Sequence, residues 1–375
     1  MSLCILVSSI PFSQYGNMSS IDGEEYTKKE KGFLQRLDAF FDAHGLQPVG
    51  KRMAYAYVRM MASDVDGTFA RVQPWLLNQL NGVRKLPEGF SPWQKGCPGL
   101  IPGLRSMPFW ETPEVRAEWL PWCSALEDSF EAIKAELLTL RGQNAFRPYR
   151  APSSRTATAA EDGVGSVSHD AGEWNVFYIF LHNMDFEENR VRCPVTCAAI
   201  EAIGAQYHHA FFSALAPGTH ITKHHGPTNK KLRCHLPLIV PEGKCRLRAG
   251  GEVRTLEEGK CLVFDDSFEH EAWNDDPDAT RIVLIFDVWH PDLRMKEVKF
   301  LDYLQRAALK AERKAVQIRD AAREDADDDA TSTPELVEKK TPGDGEAVEH
   351  RIYDNFFTVI QAAQKITASD DAVFL

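Results

Sequence analysis

The sequence predicts an α+β protein in which a β-rich core, a sandwich or a jelly roll, lies between helical segments. The main observation is a series of short runs of aliphatic and aromatic residues, separated by turns, within about 120 residues. Helical spacing of apolar residues before this series, and a charged helical pattern after it, complete the prediction. The β-type runs are WNVFYIFLH, HAFFSAL, RCHLPLIV, KCRLRA, CLVFDD and RIVLIFDVW.

Helical patterns fill the part of the chain before these runs. From Glu24 to Ala43 apolar residues recur at helical spacing, and Gly45 follows where a helix would end. A later segment begins with Thr112 as the predicted N-cap and Pro113 at the first helical position, and it predicts a helix or a helix pair. Two further helical patterns are RMAYAYVRMMAS and VQPWLLNQL.

These patterns divide the chain into three regions. Residues 1–94 form a helical N-terminal region, and residues 95–293 form the β-rich domain. Within that domain, small and polar residues with Pro and Gly predict a mobile loop at about 148–172. Residues 294–375 comprise a charged helix, an acidic linker that we expect to be disordered, and a terminal amphipathic helix. We expect this last helix to dock on the body or to contact another chain.

Charge and composition exclude several classes of protein. The 375-residue chain has a formal net charge of −11, which disfavours nucleic-acid binding because phosphate contacts need clustered Lys and Arg. No apolar run approaches the roughly 18–20 residues that cross a bilayer, so we expect a soluble, cytoplasmic protein without a membrane partner. The eight cysteines do not form a small disulfide framework, and the spacing leaves open whether Cys193 and Cys197 pair.

Two motifs contain residues suited to a metal site. His224 and His225 precede a Gly-Pro turn, and His270 follows the run CLVFDD. The facial triad of a non-haem iron oxygenase needs His-x-Asp or His-x-Glu and a distal His. The residue two places after His224 is Gly226, which has no side-chain ligand. From these residues alone, what completes the site stays open.

Basic residues near these histidines indicate an anion site. Arg233 and His235 alternate along one predicted strand and therefore share a face. Arg281 opens the strand RIVLIFDVW, where its guanidinium could bind a dicarboxylate in bidentate fashion. Positive charge on an inward face is costly unless an anion neutralises it.

Four motifs together resemble the aspartyl/asparaginyl β-hydroxylase family of Fe(II)- and 2-oxoglutarate-dependent oxygenases. The resemblance covers about residues 95–293 and leaves the N-terminal region and the tail outside it. It implies a double-stranded β-helix core, which is a jelly roll of the cupin-like kind. The motifs are PGLRSMPFW, GTHITKHHGPTNKKLRCHLPLIVP, EGKCLVFDDSFEHEAWN and RIVLIFDVWHPDL.

The resemblance implies an unusual iron site. Members of this family bind iron with two histidines, here His224 and His270, and a Gly, here Gly226, takes the place of the carboxylate. Asp266 then orients an iron-bound water or ligand. His220 and His225 are not expected to be ligands. The implied cofactors are Fe(II), 2-oxoglutarate and O2, with ascorbate as reductant.

The same resemblance assigns the residues that hold 2-oxoglutarate. Arg233 and His235 would hold its C1-carboxylate end, and Arg281 together with Ser213 would hold the far carboxylate. The implied chemistry is removal of hydrogen from an unactivated C–H bond, followed by hydroxylation, or by cyclisation or desaturation where an amine is near.

The predicted substrate contacts depart from those of the family's protein hydroxylase. A Gln of the family becomes Val176 and a Lys becomes Phe211, whereas a third, basic position is retained as Lys231, which could meet a substrate carboxylate. An acidic side chain would lose its partners there. We therefore hypothesise a small apolar, valine-like amino acid as substrate, free or carrier-bound. Fungal relatives convert such amino acids to aziridine carboxylates, which makes oxidative C–N bond formation a second outcome.

Three alternatives belong to other classes. A hydroxylase of Asp or Asn residues in proteins would need a lumenal address, and the sequence shows no signal for one. A lipid acyl hydroxylase would be expected to carry a membrane-associating segment. A non-catalytic binding module would be expected to lose one of the histidines or the 2-oxoglutarate arginine, and all are present.

Overall fold

The computed structural model of the protein describes residues 28–82, 89–140, 146–148, 169–181 and 186–329. The described residues form two compact units. One contains residues 28–82 and 294–329, and the other contains the described residues from 89 to 293. The predicted terminal amphipathic helix lies outside the described residues.

The helices lie mainly at the two ends of the chain and between the early strands. Their bounds are α1 Lys28–Ala43, α2 Pro48–Ala62, α3 Val72–Leu80, α4 Pro113–Trp119, α5 Trp122–Asp128, α6 Phe130–Thr139, α7 Glu187–Arg192, α8 Pro194–Glu201 and α9 Met295–Asp329. In the first unit, the apolar face predicted for α1 is buried. Glu297 of α9 accepts hydrogen bonds from the backbone N–H groups of Arg71 and Val72 at the start of α3. A distant carboxylate thus caps a helix whose own N-cap side chain makes no cap bond.

The second unit consists of two antiparallel sheets with jelly-roll character. The larger sheet has the strand order β1-β3-β4-β11-β6-β9 and the smaller has the order β2-β5-β10-β7-β8. This confirms the predicted α+β fold with a jelly-roll core. The strands are β1 Arg147–Pro148, β2 His169–Ala171, β3 Trp174–Leu181, β4 Gln206–Leu215, β5 His220–His224, β6 Lys231–Ile239, β7 Cys245–Ala249, β8 Glu252–Thr255, β9 Leu262–Phe264, β10 His270–Asn274 and β11 Arg281–Trp289.

The two faces of the larger sheet pack in two different hydrophobic clusters. On β6, Leu232, Cys234, Leu236 and Leu238 join a cluster with residues of α5, α6 and α8. Because side chains alternate along a strand, Lys231, Arg233 and His235 point to the other face. The second cluster takes residues from both sheets and therefore lies between them; examples are Val176, Phe211 and Val283 from the larger sheet and Leu247 and Ala272 from the smaller. The polar residues of β6 thus share the interior between the sheets.

The helix start predicted at Thr112 is confirmed. The Thr112 hydroxyl accepts a hydrogen bond from the Val115 N–H at 3.4 Å, and Pro113 occupies the first helical position. Cys193 and Cys197, whose pairing the spacing left open, are buried free thiols. Within the described residues, no helix combines the length and the apolar character needed to cross a membrane.

Several short strands were not predicted from the sequence. β5, β8 and β10 have the sequences HITKH, EVRT and HEAWN, which lack an apolar run. The loop prediction for 148–172 is wrong at residues 169–171, because these residues pair with β5 as an edge strand. Residues 149–168 of that segment lie outside the described residues. Short polar strands such as these are identified by the strands with which they pair rather than by their own composition.

Leu284→Ala is expected to destabilise the jelly-roll unit by about 2–5 kcal/mol, because it leaves a cavity beneath the central strand β11. Leu284 has no exposed surface and packs in the helix-side cluster. Urea unfolding would measure the loss. Val253→Ala on the edge strand β8, where the side chain is 47% exposed, is the matched control. Equal effects of the two substitutions would contradict the assignment of the core.

Candidate active site

His224 and His270 meet at the junction of two strands of the smaller sheet. His224 ends β5 and His270 begins β10, and the two residues are register partners. Their ring centroids are 4.0 Å apart. Each Nδ1 is held by a backbone carbonyl, of Thr222 at 2.7 Å and of Phe268 at 2.9 Å. Because a carbonyl can only accept, each Nδ1 carries the hydrogen and each Nε2 keeps a lone pair.

Burial keeps both imidazoles neutral. It lowers the pKa of His224 to about 4 and the pKa of His270 well below its usual value, and the nearby Arg233 acts in the same direction. A neutral imidazole is the form that binds a metal, so the pair needs no deprotonation at neutral pH. Among the described residues, no group of three or more His, Cys, Asp or Glu side chains is arranged to hold a metal.

The space beside Gly226 is filled by the carboxylate of Asp266. A Cβ built on Gly226 would lie 2.5–2.6 Å from the carboxylate atoms of Asp266, which is too close for any side chain. The Gly226 N–H also donates to the Asp266 backbone oxygen at 2.6 Å. Asp266 is fully buried, and its Oδ1 has no hydrogen-bond partner among the described residues. The motif around His224 has no carboxylate at position 226. A carboxylate nevertheless lies beside this position, because Asp266 reaches it from the turn after β9.

A buried ionic cluster lies behind Asp266. The Lys231 ammonium is 2.6 Å from Asp266 Oδ2 and 3.1 Å from Asp287 Oδ2. Arg233 donates to both oxygens of Asp287, from Nε at 2.8 Å and from Nη2 at 3.0 Å. The arginine and lysine charges hold the pKa of Asp287 well below its usual value despite its burial. Two cations and two carboxylates thus neutralise each other in the interior.

Arg281 differs from this cluster because the described residues supply no counter-ion for it. Its side chain is 1% exposed, and neither Nε nor Nη1 finds a hydrogen-bond partner among the described residues. Burial lowers the pKa of its guanidinium to about 10. Burial, and after it the nearby Arg281 charge, lowers the pKa of His235, and the buried His235 Nδ1 also lacks a partner in the described part of the chain. A buried cation without an anion is costly, so the geometry fits an anionic ligand.

Ser213 lies on the strand beside Arg281. β4 and β11 pair so that Ser213 opposes Val283, two residues from Arg281 on the same face. The Ser213 hydroxyl accepts a hydrogen bond from Trp174 Nε1 at 3.0 Å. Its own hydrogen can therefore be donated to a ligand oxygen.

The three predicted substrate residues have different surroundings. Val176 and Phe211 are buried in the apolar cluster between the sheets. Lys231 is 2% exposed, and its ammonium is bound to Asp266 and Asp287 instead of being open to a ligand. The structure thus brings the apolar pair to the interior and places Lys231 within the ionic cluster.

The other histidines of the motifs point elsewhere. His220 Nε2 is 3.1 Å from Glu271 Oε2, and the ring stacks on Trp273. His225 Nε2 donates to the Trp93 carbonyl at 3.1 Å, and its ring packs on Gly96. Neither of these nitrogens is directed at the pair formed by His224 and His270.

Asp287 and His209 are the interior residues that sequence reasoning missed. Asp287 is a charged residue within the apolar run RIVLIFDVW, and that break in the pattern was a usable signal. His209 is the first residue of the run HAFFSAL, and a polar residue at that position indicates only the end of a strand. Only the structure shows that His209 Nδ1 and Asp287 Oδ2 are hydrogen-bonded at 2.8 Å.

Arg281→Met is expected to stabilise the ligand-free protein by about 1–3 kcal/mol, because an unpaired buried charge is removed. If Arg281 holds 2-oxoglutarate as the family resemblance implies, the same variant is expected to bind it at least about 100-fold more weakly, since the expected bidentate contact cannot form. Urea unfolding and titration calorimetry would measure the two effects. Arg246→Met, at an exposed arginine paired with Asp275, is the control and should change neither. Unchanged 2-oxoglutarate affinity in Arg281→Met would contradict the assignment.

Gly226→Ala is expected to cost about 1–3 kcal/mol, because its Cβ overlaps the Asp266 carboxylate. In an Asp266→Ala background the overlap is gone, so the same change should cost at least about 1 kcal/mol less. A double-mutant cycle in urea would give this coupling. Gly204→Ala, where a Cβ meets nothing within 4 Å, is the matched control. Additive effects at positions 226 and 266 would show that the close approach is not real.

The segment of the chain that forms this site is similar to known proteins. The family profile described as aspartyl/asparaginyl beta-hydroxylase matches residues 127–291. Human aspartyl/asparaginyl beta-hydroxylase is 33% identical over 302 residues, which are 79% of this chain and 33% of that protein. Mouse aspartate beta-hydroxylase domain-containing protein 2 is 31% identical over 268 residues, covering 70% of this chain and 69% of that protein.

A third relative has a lipid-modifying name. The ornithine lipid ester-linked acyl 2-hydroxylase of Rhizobium tropici is 38% identical over 173 residues, which are 46% of this chain and 58% of that protein. The chain spans about a third of the length of the human aspartyl/asparaginyl hydroxylase. The family profile covers the histidine pair, Asp266 and Arg281, and together with the named relatives it confirms the resemblance seen in the motifs. The chain belongs to the aspartyl/asparaginyl β-hydroxylase family.

Proposed function

We propose that the protein is an Fe(II)- and 2-oxoglutarate-dependent oxygenase. The observation that carries the proposal is the buried Arg281 guanidinium, which has no anion among the described residues although it shares the interior with two neutral imidazoles. A dicarboxylate supplies the missing charge, and the imidazole pair supplies two metal donors. Family membership supports the same reading.

The residues divide into a metal-holding and a dicarboxylate-holding group. His224 and His270 would hold iron(II) through Nε2. Arg281 and Ser213 would hold the far carboxylate of 2-oxoglutarate, and Arg233 with His235 would hold the other end. When bound, iron(II) together with 2-oxoglutarate and O2 supplies the oxidising power to remove hydrogen from an unactivated C–H bond, with ascorbate as an external reductant.

Asp266 acts as a positioning residue in this proposal. Its carboxylate is fixed by Lys231 on one oxygen, while Oδ1 is buried and has no hydrogen-bond partner in the described part of the chain. A water held by Oδ1 would be oriented beside Gly226, where no side chain fits. The two hydrogen bonds to Asp287 hold the Arg233 side chain in place, so this side chain needs little rearrangement when a ligand enters.

The proposed substrate is an amino acid with a small apolar side chain, valine-like in size. Val176 and Phe211 are buried among apolar side chains, and an acidic side chain placed there would have no partner. Because the Lys231 ammonium is bound to Asp266 and Asp287, no residue is assigned to the substrate carboxylate. The product would be hydroxylated or, by oxidative C–N bond formation, an aziridine-type ring.

The runner-up is hydroxylation of Asp or Asn residues in proteins. It is favoured by the name of the human relative, which is 33% identical over 302 residues. The apolar surroundings of Val176 and Phe211 disfavour it, because a carboxylate or carboxamide would be buried there without hydrogen bonds.

Incubation of the Fe(II)-loaded protein with 2-oxoglutarate, ascorbate and each of the twenty amino acids tests the proposal. Succinate release above background is expected with valine or isoleucine. The product mass then separates hydroxylation, a gain of one oxygen, from cyclisation or desaturation, a loss of two hydrogens. Phe211→Ala should shift the preference towards longer side chains by about tenfold.

An Asp- or Asn-containing peptide serves as the second arm of this experiment. Succinate release with the peptide alone would overturn the amino-acid substrate and support the runner-up. A protein that neither binds 2-oxoglutarate nor releases succinate in either arm would overturn the oxygenase function itself.

A further inference from the structure

His209 occupies the interior next to the residues proposed to meet the substrate. It lies on β4, alternates with Phe211 and Ser213, and is 4% exposed. Its ring centroid is 5.1 Å from that of Phe211, and the ring stacks on Tyr178 at 6.5 Å. The imidazole is therefore part of the wall formed by Phe211 and Tyr178, and none of the assigned 2-oxoglutarate or iron contacts uses it.

The backbone beside His209 is irregular. The preceding residue, His208, has φ of 58°, a value that residues other than Gly rarely adopt. The pairing of β4 with β11 shifts register between Phe286 and Val288, on either side of Asp287. A bulge of this kind re-aims a neighbouring side chain and is common next to active sites.

Asp287 determines which nitrogen of His209 carries the hydrogen. His209 Nδ1 is 2.8 Å from Asp287 Oδ2, and Arg233 Nη2 lies farther away at 3.5 Å. Because the carboxylate can only accept, Nδ1 carries the hydrogen and Nε2 carries the lone pair. Arg233 and Lys231 keep Asp287 ionised and fixed.

Burial favours the neutral form of His209 when no substrate is bound. Burial lowers its pKa, and Arg233 and Lys231 act in the same direction against the opposing effect of Asp287. A neutral imidazole oriented by a buried carboxylate is the arrangement in which His accepts a proton and Asp stabilises the resulting imidazolium.

We propose that His209 contacts the substrate and takes a proton from its ammonium group at Nε2, which makes the substrate a free primary amine. In this step one N–H bond of the ammonium breaks, its electron pair stays on nitrogen, and an Nε2–H bond forms. No oxidant or co-reactant is consumed. The inference rests on the proposed oxygenase function and narrows its substrate to amines, to the exclusion of acyl chains and of Asp or Asn residues within a polypeptide.

Binding to a catalytically inert form tests recognition separately from turnover. The protein loaded with Zn(II) and 2-oxoglutarate would be titrated calorimetrically with L-valine and with 3-methylbutanoate, which has the same carbon skeleton without the amine. The wild type should bind L-valine at least about tenfold more tightly. His209→Asn can still donate to Asp287 but lacks the Nε2 acceptor, so it should lose this preference.

His209→Gln separates hydrogen bonding from proton uptake. Its amide can accept a hydrogen bond but not a proton, so valine affinity should stay within about threefold of the wild type while turnover falls by about 100-fold or more. Turnover of the wild type should rise with pH as His209 loses its proton, and this limb should be absent from the Gln variant. His220→Asn removes another histidine–carboxylate pair, outside the assigned site, and is the matched control.

The outcomes separate the two proposals. Equal affinity of the wild type for both ligands, or a His209→Asn variant that keeps the preference, overturns the role of His209. Binding of a peptide but of no free amine also overturns it. Failure of the Zn(II)-loaded wild type to bind 2-oxoglutarate, by contrast, overturns the oxygenase function itself. Circular dichroism and thermal unfolding would show that each variant is folded.

Discussion

The carboxylate of Asp287 is the group on which the polar interior of the jelly-roll unit depends. It accepts hydrogen bonds from Arg233 and His209 and lies 3.1 Å from the Lys231 ammonium. Lys231 in turn fixes Asp266, so one carboxylate on β11 orders side chains on β4, on β6 and in the turn after β9. Loss of one partner from such a buried pair typically costs about 3–5 kcal/mol, because the remaining charge is left without compensation.

The close contact between Gly226 and Asp266 shows how a site can lack a third side-chain ligand without lacking a carboxylate. Glycine is favoured at position 226 because a Cβ there would force the Asp266 carboxylate to shift. The carboxylate is also held from behind by Lys231, so it is not a freely rotating group. Charge and steric fit thus place an acidic group near enough to His224 for its charge to act on the pKa of that imidazole.

Charge compensation distinguishes the two kinds of basic residue in the interior. Lys231 and Arg233 are matched by Asp266 and Asp287, which makes the cluster neutral in the absence of a ligand. Arg281 has no such match among the described residues, and burial alone lowers its pKa. The first pair therefore builds the site, whereas Arg281 gains its partner only when an anion binds. Lys231 and Arg233 thus order the interior before a ligand enters, although Arg233 is also proposed to hold one end of 2-oxoglutarate, whereas Arg281 depends on the ligand for its counter-charge.

The sequence by itself determined the class of fold, the helix start at Thr112, most long strands, and the identity of the metal and dicarboxylate candidates. The fold class, the helix start and the strands follow from local signals, namely apolar periodicity and capping residues, whereas the metal and dicarboxylate candidates follow from the resemblance of the motifs to a known family. Short polar strands such as β5 and β10 were missed because their stability comes from pairing rather than from composition. Only the tertiary structure decided that Lys231 is neutralised by Asp266 and Asp287, that Asp266 fills the space beside Gly226, and that His209 meets Asp287. Each of these contacts joins residues far apart in the chain, and no spacing rule links them.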